Sequence, residues 1–255
     1  MPQFASYPSL AGRSVFVSGG GSGIGASIVE HFAEQGAKVG FVDIDEAVSM
    51  ALVDRIKAAG YPAPLFAKAD VRDLPAYQAT IDGMAGKLGA FKVLVNNAAR
   101  DDRHTIDQVT PTFWDERIAV NLRHQYFAIQ SVVPGMRKAG GGSIINFSSV
   151  SYHAMTPQLS VYQAAKAAVI GMTRGLARDL GPDNIRLNSL TPGWIMTQRQ
   201  IDLWLTPEAE AALMVAQCLK EKVYPPDIAR MVLWLAADDS RLVTAQNFVV
   251  DGGRM

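Results

Sequence analysis

Ser18-Gly19-Gly20-Gly21-Ser22-Gly23-Ile24-Gly25 stands directly after the apolar run Ser14-Val15-Phe16-Val17 and directly before a segment in which Ile24, Ile28 and Phe32 recur every four residues. The first run reads as a strand and the second as a helix with one apolar face, with Gly36 placed to stop that helix. Glycines in the turn between them permit positive φ angles and a close approach of the main chain to a ligand. The free N–H groups of the helix start attract an anion such as a pyrophosphate. A tight strand-to-helix turn with no ligand uses the same glycines, so the turn alone decides little. Asp43, in Phe41-Val42-Asp43-Ile44-Asp45 at the end of the next apolar run, sharpens the reading. A carboxylate there can accept from both hydroxyls of an adenosine ribose, and its charge repels a 2′-phosphate, which favours NAD over NADP. Asp43 also suits a helix N-cap, and Asp45 competes for the ribose.

Outward from this turn the same alternation continues. Val39–Val42, Pro64–Ala67, Val93–Val95, Ile144–Phe147, Ile185–Leu190 and Phe248–Val250 are short apolar runs separated by stretches of helical period. Short apolar strands alternating with helices pair in parallel and are covered on both faces. The expected fold is therefore α/β, a Rossmann-type doubly wound parallel sheet of about seven strands with helices on both faces. At 255 residues, one domain spanning 1–255 is expected. The stretch from Trp194 to Tyr224 is the least regular, carrying Trp204 and nearby Thr-Pro and Pro-Pro breaks. It reads either as a lid around 194–224 or as an ordinary surface excursion.

Composition narrows the partners. Twenty-four basic residues balance 24 acidic ones, which argues against nucleic acid or an anionic membrane, since both require a concentrated positive field. The one cysteine, Cys218, excludes an internal disulfide and a cysteine-cluster metal site and fits a reducing compartment. The opening residues lack a basic start followed by an apolar run, and no later stretch offers a membrane span, so a cytoplasmic location is expected. His31, His104, His124 and His153 are scattered without ligand spacing, and no metal is expected.

The spacing Gly19-x-x-x-Gly23-x-Gly25, with Asn96-Asn97-Ala98-Ala99 closing the fourth apolar run, resembles the short-chain dehydrogenase/reductase pattern over essentially the whole chain. The resemblance implies a nicotinamide dinucleotide held by Gly19, Ser22, Gly23, Ile24 and Gly25, with Asp43 and Ile44 at the adenosine ribose. It places Asp70 and Val71 about the adenine, Asn97 and Ala98 beneath the cofactor, and Pro192, Gly193, Ile195 and Thr197 over the nicotinamide carboxamide. Ser18 stands where the family more often has Thr, a change that keeps the hydroxyl.

Ser149 and Tyr162 lie thirteen residues apart, and Lys166 follows Tyr162 by four. On a helix that spacing places phenol and ammonium on one face. A free tyrosine has a pKa near ~10. The charges of Lys166 and of an oxidised nicotinamide are expected to lower it, so that Tyr162 takes the hydroxyl proton as hydride leaves the same carbon. Ser149, just past the fifth strand, can hold the substrate oxygen. Ser148 is its rival, one residue too far from Tyr162. Asn121 falls on a long predicted helix, and the resemblance gives it a water-mediated link to Lys166. The paired segments Thr112–Met136 and the Tyr162 helix imply a homotetramer by the same resemblance.

Arg100-Asp101-Asp102-Arg103-His104 follows the fourth strand and is dense in hydrogen-bonding groups. Such a loop suits a small polyhydroxylated substrate better than a steroid or acyl chain. Arg103, His104 and His153 are the expected polar contacts and Trp194 the expected apolar surface. The strings Asn121-Leu122-Arg123-His124, Thr197-Gln198-Arg199-Gln200 and Ala216-Gln217-Cys218-Leu219-Lys220 resemble bacterial aldose 1-dehydrogenases of the family. That resemblance implies oxidation of an aldose at its anomeric carbon to a lactone. A ketone or 3-oxoacyl reductase preferring NADPH is the nearest alternative, and a non-catalytic dinucleotide sensor is the alternative from another class.

Overall fold

A computed structural model describes residues 4–255. The chain runs β1 (Ser14–Ser18), α1 (Gly23–Glu34), β2 (Lys38–Asp43), α2 (Glu46–Ala58), β3 (Leu65–Lys68), α3 (Leu74–Leu88) and β4 (Val93–Asn96). It continues with α4 (Pro111–Ile118), α5 (His124–Lys138), β5 (Gly142–Phe147), α6 (Ser160–Leu180) and β6 (Ile185–Pro192). After these come α7 (Gln198–Trp204), α8 (Pro207–Ala216), α9 (Pro225–Ala236) and β7 (Asn247–Val250). All seven strands are parallel, in the order β3-β2-β1-β4-β5-β6-β7.

Both faces of this sheet are buried, which is why its strands read as unbroken apolar runs. On one face Val15 and Val17 pack with Ile28 and Phe32 of α1 and Ile228 and Val232 of α9. On the other, Phe16, Leu94, Ile144 and Leu187 pack with Ile81 of α3, Ile129 of α5 and Ala177 of α6. The four-residue spacing of Ile28 and Phe32 thus marks the face of α1 turned to the sheet.

The strand order reverses between β1 and β4, and register makes this reversal a site. Ser18 lies opposite both Val42 and Asn96, so β1, β2 and β4 end at nearly the same level. The residues that follow them, Gly19, Asp43 and Asn97, surround one crevice at the carboxyl ends of the strands, where ligands bind in open α/β sheets.

Two local features depart from the expected pattern. The long helix over 112–136 is present, but a π-helical turn at Ala119–Arg123 interrupts it between α4 and α5. Such turns occur often at functional sites. The irregular stretch after β6 holds two short helices, each opened by a threonine cap. Thr197 accepts from the Gln200 N–H at 3.3 Å and Thr206 from the Ala209 N–H at 3.2 Å. Among the described residues no helix is long and apolar enough to cross a membrane, and no three potential ligands gather for a metal ion.

Candidate active site

The glycine turn is closed on itself by contacts that admit no side chain. A Cβ on Gly25 would lie 1.8 Å from the Gly19 carbonyl oxygen, and one on Gly19, at φ +67°, would lie 2.8 Å from the Ala98 Cα. The Asn97 amide donates to the carbonyls of Ser18 (3.2 Å) and Gly19 (2.8 Å). The Ser18 hydroxyl in turn accepts from the main chain of Asn97 and Ala98 at 3.2 Å. The hydroxyl that Ser18 shares with threonine is therefore what joins the turn to β4. Ser22, at the N-cap of α1, makes no side-chain cap. The first N–H groups of the helix consequently face a cleft of about 880 Å³ without a side-chain partner. That uncapped helix start, in a crevice too tight for any Cβ, fits a pyrophosphate.

Asp43 and Asp45 separate in role. Asp43 accepts from the Gly21 N–H at 2.8 Å and so is tied to the turn, whereas Asp45 caps α2 by accepting from Val48 at 3.2 Å. The helix cap considered for Asp43 thus belongs to Asp45. Asp43, Ile44, Asp70 and Val71 line one end of the cleft. Arg72 forks onto Asp70 and holds that carboxyl below its ordinary range. Pro192, Gly193, Ile195 and Thr197 form the opposite wall, and a Cβ on Gly23 would come within 3.1 Å of Thr197.

Ser149, Tyr162 and Lys166 line the same cleft. Lys166 is fully buried, its ammonium 5.6 Å from the centroid of the Tyr162 ring, and it donates to the Phe147 carbonyl at 2.8 Å. Ser148 spends its hydroxyl on the Lys166 carbonyl at 2.7 Å, which removes it as a rival to Ser149. Ser149 accepts from the Ser151 N–H at 3.2 Å and hydrogen-bonds the Tyr162 phenol.

The electrostatics correct one expectation. Burial pushes the Tyr162 phenol up, against the lowering effect of its hydrogen bond with Ser149 and of the Arg103 and Arg199 charges. Burial also pulls Lys166 down from 10.5 to about 7, against the attraction of Asp101. In the chain by itself desolvation therefore outweighs the cations, and Tyr162 keeps its proton.

Asn121 is fully buried in the π turn and makes no direct hydrogen bond to Lys166. Its amide accepts from the Arg100 N–H at 2.8 Å and donates to the carbonyls of Arg100 and Arg117 at 3.0 and 2.9 Å. It fixes the loop after β4 against the helix.

The expected substrate residues divide. Arg103 and Trp194 line the cleft; His104 and His153 do not. His104 is buried, with Nδ1 bonded to the Asp102 carbonyl at 3.1 Å, while Nε2 meets the Ser160 hydroxyl at 3.1 Å and accepts from the Val161 N–H at 3.3 Å. Nε2 is thus spent on opening α6 and Nδ1 on the loop after β4. His153 is exposed and stacks on Tyr152 with centroids 4.3 Å apart. Trp194 donates to Gln200 Oε1 at 2.9 Å.

The groups that the sequence reading passed over are Asp101, Arg199, Gln200 and Trp204. Arg199 pairs with Asp101, Gln200 donates to the other Asp101 oxygen at 3.0 Å, and Arg103 lies 4.8 Å over the Trp204 ring. Asp101 and Arg199 stand in two polar strings 98 residues apart, and nothing in either string points to the other.

Comparison with known proteins agrees with this geometry. A family model described as enoyl-(acyl carrier protein) reductase matches residues 19–254, which include the glycine turn, Ser149, Tyr162 and Lys166. The chain belongs to the short-chain dehydrogenase/reductase family. It is 49% identical over 249 residues to a Rhizobium meliloti protein named "Probable galactose dehydrogenase GalD", covering 98% of this chain and 97% of that one. It is 47% identical to the D-xylose 1-dehydrogenase of Caulobacter vibrioides, with 98% of each covered. A crystal structure of a 3-oxoacyl-[acyl-carrier protein] reductase from Brucella melitensis with bound NAD superposes with a TM-score of 0.89 at 31% identity, over 100% of this chain and 98% of that one. This member of the short-chain dehydrogenase/reductase family is an oxidoreductase of CH–OH groups.

Proposed function

We propose that this oxidoreductase is an NAD-dependent aldose 1-dehydrogenase that oxidises the anomeric carbon of a pentose or hexose to its lactone. The observation that carries the reading is the wall beside Tyr162, where Asp101, Arg103, Arg199 and Gln200 supply polar partners and Trp194 and Trp204 supply aromatic surface. A sugar ring offers both kinds of edge, while an acyl chain or steroid would desolvate the unfilled donors and acceptors of the polar groups. The two curated relatives named as sugar dehydrogenases support it.

Gly19, Ser22, Gly23, Ile24 and Gly25 would hold the dinucleotide's phosphates, Asp43 its ribose, and Thr197 with the β6 end its carboxamide. When bound, NAD supplies the hydride acceptor. Tyr162 takes the proton of the anomeric hydroxyl, Ser149 donates a hydrogen bond to that oxygen, and Lys166 stabilises the phenolate as it forms. Asn121 holds the Arg100 main chain in place behind them. The segment around 194–224 acts as a lid on a single domain, in a cytoplasmic protein. Oxidation rates on D-xylose and D-galactose, set against a 3-hydroxyacyl thioester and a hydroxysteroid, are expected to favour the sugars. Inert sugars alongside a reactive acyl or steroid alcohol would refute the aldose reading.

Cofactor choice rests on Asp43. Asp43→Ala is expected to weaken NAD and lift the repulsion of a 2′-phosphate, moving the ratio of kcat/KM values toward NADP by about tenfold or more. An unchanged ratio would remove Asp43 from the ribose site. Assembly into a homotetramer through α4, α5 and α6 fits the exposed Trp114 and Tyr126 on that side. Sedimentation velocity is expected to show four-subunit particles at micromolar concentration, and a monomer alone would contradict it.

A further inference from the structure

Asp101 is placed as no other carboxylate in the cleft. Its side chain is only 19% exposed, it lies on the loop after β4, and both of its oxygens face α7, where Arg199 and Gln200 donate to them. The Gln200 amide oxygen is itself taken by Trp194, so the group is fixed rather than free to swing. Burial works against the Asp101 charge, yet the Arg199 and Gln200 donors hold its carboxyl below the ordinary range, and its field reaches both Tyr162 and Lys166. The Arg199 side of the pair is half exposed, which limits what the pair adds to stability. Stability therefore does not account for a charged carboxylate kept beside the reacting groups.

We propose that Asp101 and Arg199 together form an acceptor–donor pair that binds two adjacent ring hydroxyls next to the reacting carbon, making the enzyme selective for vicinal diols. The proposal rests on the aldose reading and assigns residues to it. An ionised carboxylate has about four acceptor sites and a guanidinium five donors. The contacts with Arg199 and Gln200 leave acceptor capacity on Asp101 and donors on Arg199, whose side chain is 52% exposed. One hydroxyl donates to Asp101 while its neighbour accepts from Arg199. A substrate lacking either hydroxyl desolvates the remaining acceptor capacity of Asp101 or the remaining donors of Arg199 without filling them, so discrimination arises from the penalty on the wrong substrate.

The test measures kcat and KM with NAD for the wild type, Asp101→Asn and Arg199→Ala on D-galactose, 2-deoxy-D-galactose and D-xylose. NADH binding is followed in parallel by fluorescence. The wild type is expected to prefer galactose over its 2-deoxy analogue by about tenfold or more. Asp101→Asn should raise the KM for galactose and xylose by about tenfold, leave that for 2-deoxygalactose little changed, and so bring the deoxy ratio to roughly threefold or less, with NADH affinity within about twofold. Arg199→Ala, on the half-exposed side of the pair, should narrow the ratio in the same sense and supplies the result if Asp101→Asn does not fold. Wild-type turnover of the sugars with an unaltered ratio in the folded variants would overturn the diol pair and leave the aldose reading standing. Wild-type failure on both galactose and xylose would overturn that reading and the pair with it.

Discussion

Tyr162→Phe is expected to lower kcat by at least ~10²-fold, the usual cost of losing a general acid or base, with the fold intact and NADH binding retained. The ring stays, so the packing of α6 against the cleft is kept, and only the hydroxyl that contacts Ser149 is lost. Burial already makes ionisation of this phenol costly, so its deletion does not remove a charge on which stability depends. The same burial favours the neutral phenol, and added positive charge in the cleft would act against it. Stopped-flow measurement of the first turnover would separate this chemical step from product release. Near-normal turnover in a folded Tyr162→Phe protein would show that another group moves the proton.

The parts of this protein that could be read from the sequence are those fixed by short-range periodicity. The alternation of apolar runs with helical spacing led to the parallel sheet because both faces of every central strand are buried, and Ile28 and Phe32 fall on the sheet face of α1. The glycine turn was legible for a similar reason. Gly19 and Gly25 are constrained by contacts within a few residues, or with the neighbouring strand end at Ala98. The pair Tyr162 and Lys166 lies within one helical turn. What could not be read depends on where distant loops meet. Asp101 finds Arg199 only because the β4 and β6 ends lie on one rim of the sheet.

The histidines show the converse error. His104 looked like a substrate ligand because it follows a strand on the cofactor side, yet the start of α6 needs main-chain partners, and an imidazole with one acceptor nitrogen serves that need. Trp194 lines the cleft, and Trp204 joins it there. The indole N–H of Trp194 is spent on Gln200, and it is Trp204 on α7 that lies beneath the Arg103 guanidinium. In the chain alone the phenol is raised, not lowered, for an energetic reason that spacing cannot carry, namely the loss of water around it.

Lys166→Met is expected to remove at least ~10²-fold of turnover while raising the melting temperature at neutral and acidic pH. Methionine matches the lysine stem in length and fills the same space between β5 and α6. The folded pKa of Lys166, about 7, lies below the unfolded value of 10.5. Below pH 7 the amine is charged in both states, and the folded protein bears the full cost of burying it. Between pH 7 and 10.5 the unfolded chain binds more protons than the folded one, so stability rises with pH across that window. Above it the burial cost is gone. A shift of that size corresponds to up to about 5 kcal/mol at pH 6. Against it stands the Phe147 carbonyl, which loses its 2.8 Å donor and costs ~1–3 kcal/mol when orphaned. The burial cost wins at pH 6 and the orphaned carbonyl at pH 10. The advantage of methionine over lysine should accordingly shrink as pH rises and reverse near the upper end. Calorimetric melting of both proteins at pH 6, 8 and 10 measures this directly. A difference in Tm that stays constant with pH would mean that Lys166 carries no ionisation penalty in the folded enzyme, and that its positive charge is already in place beside Tyr162 before any cofactor binds.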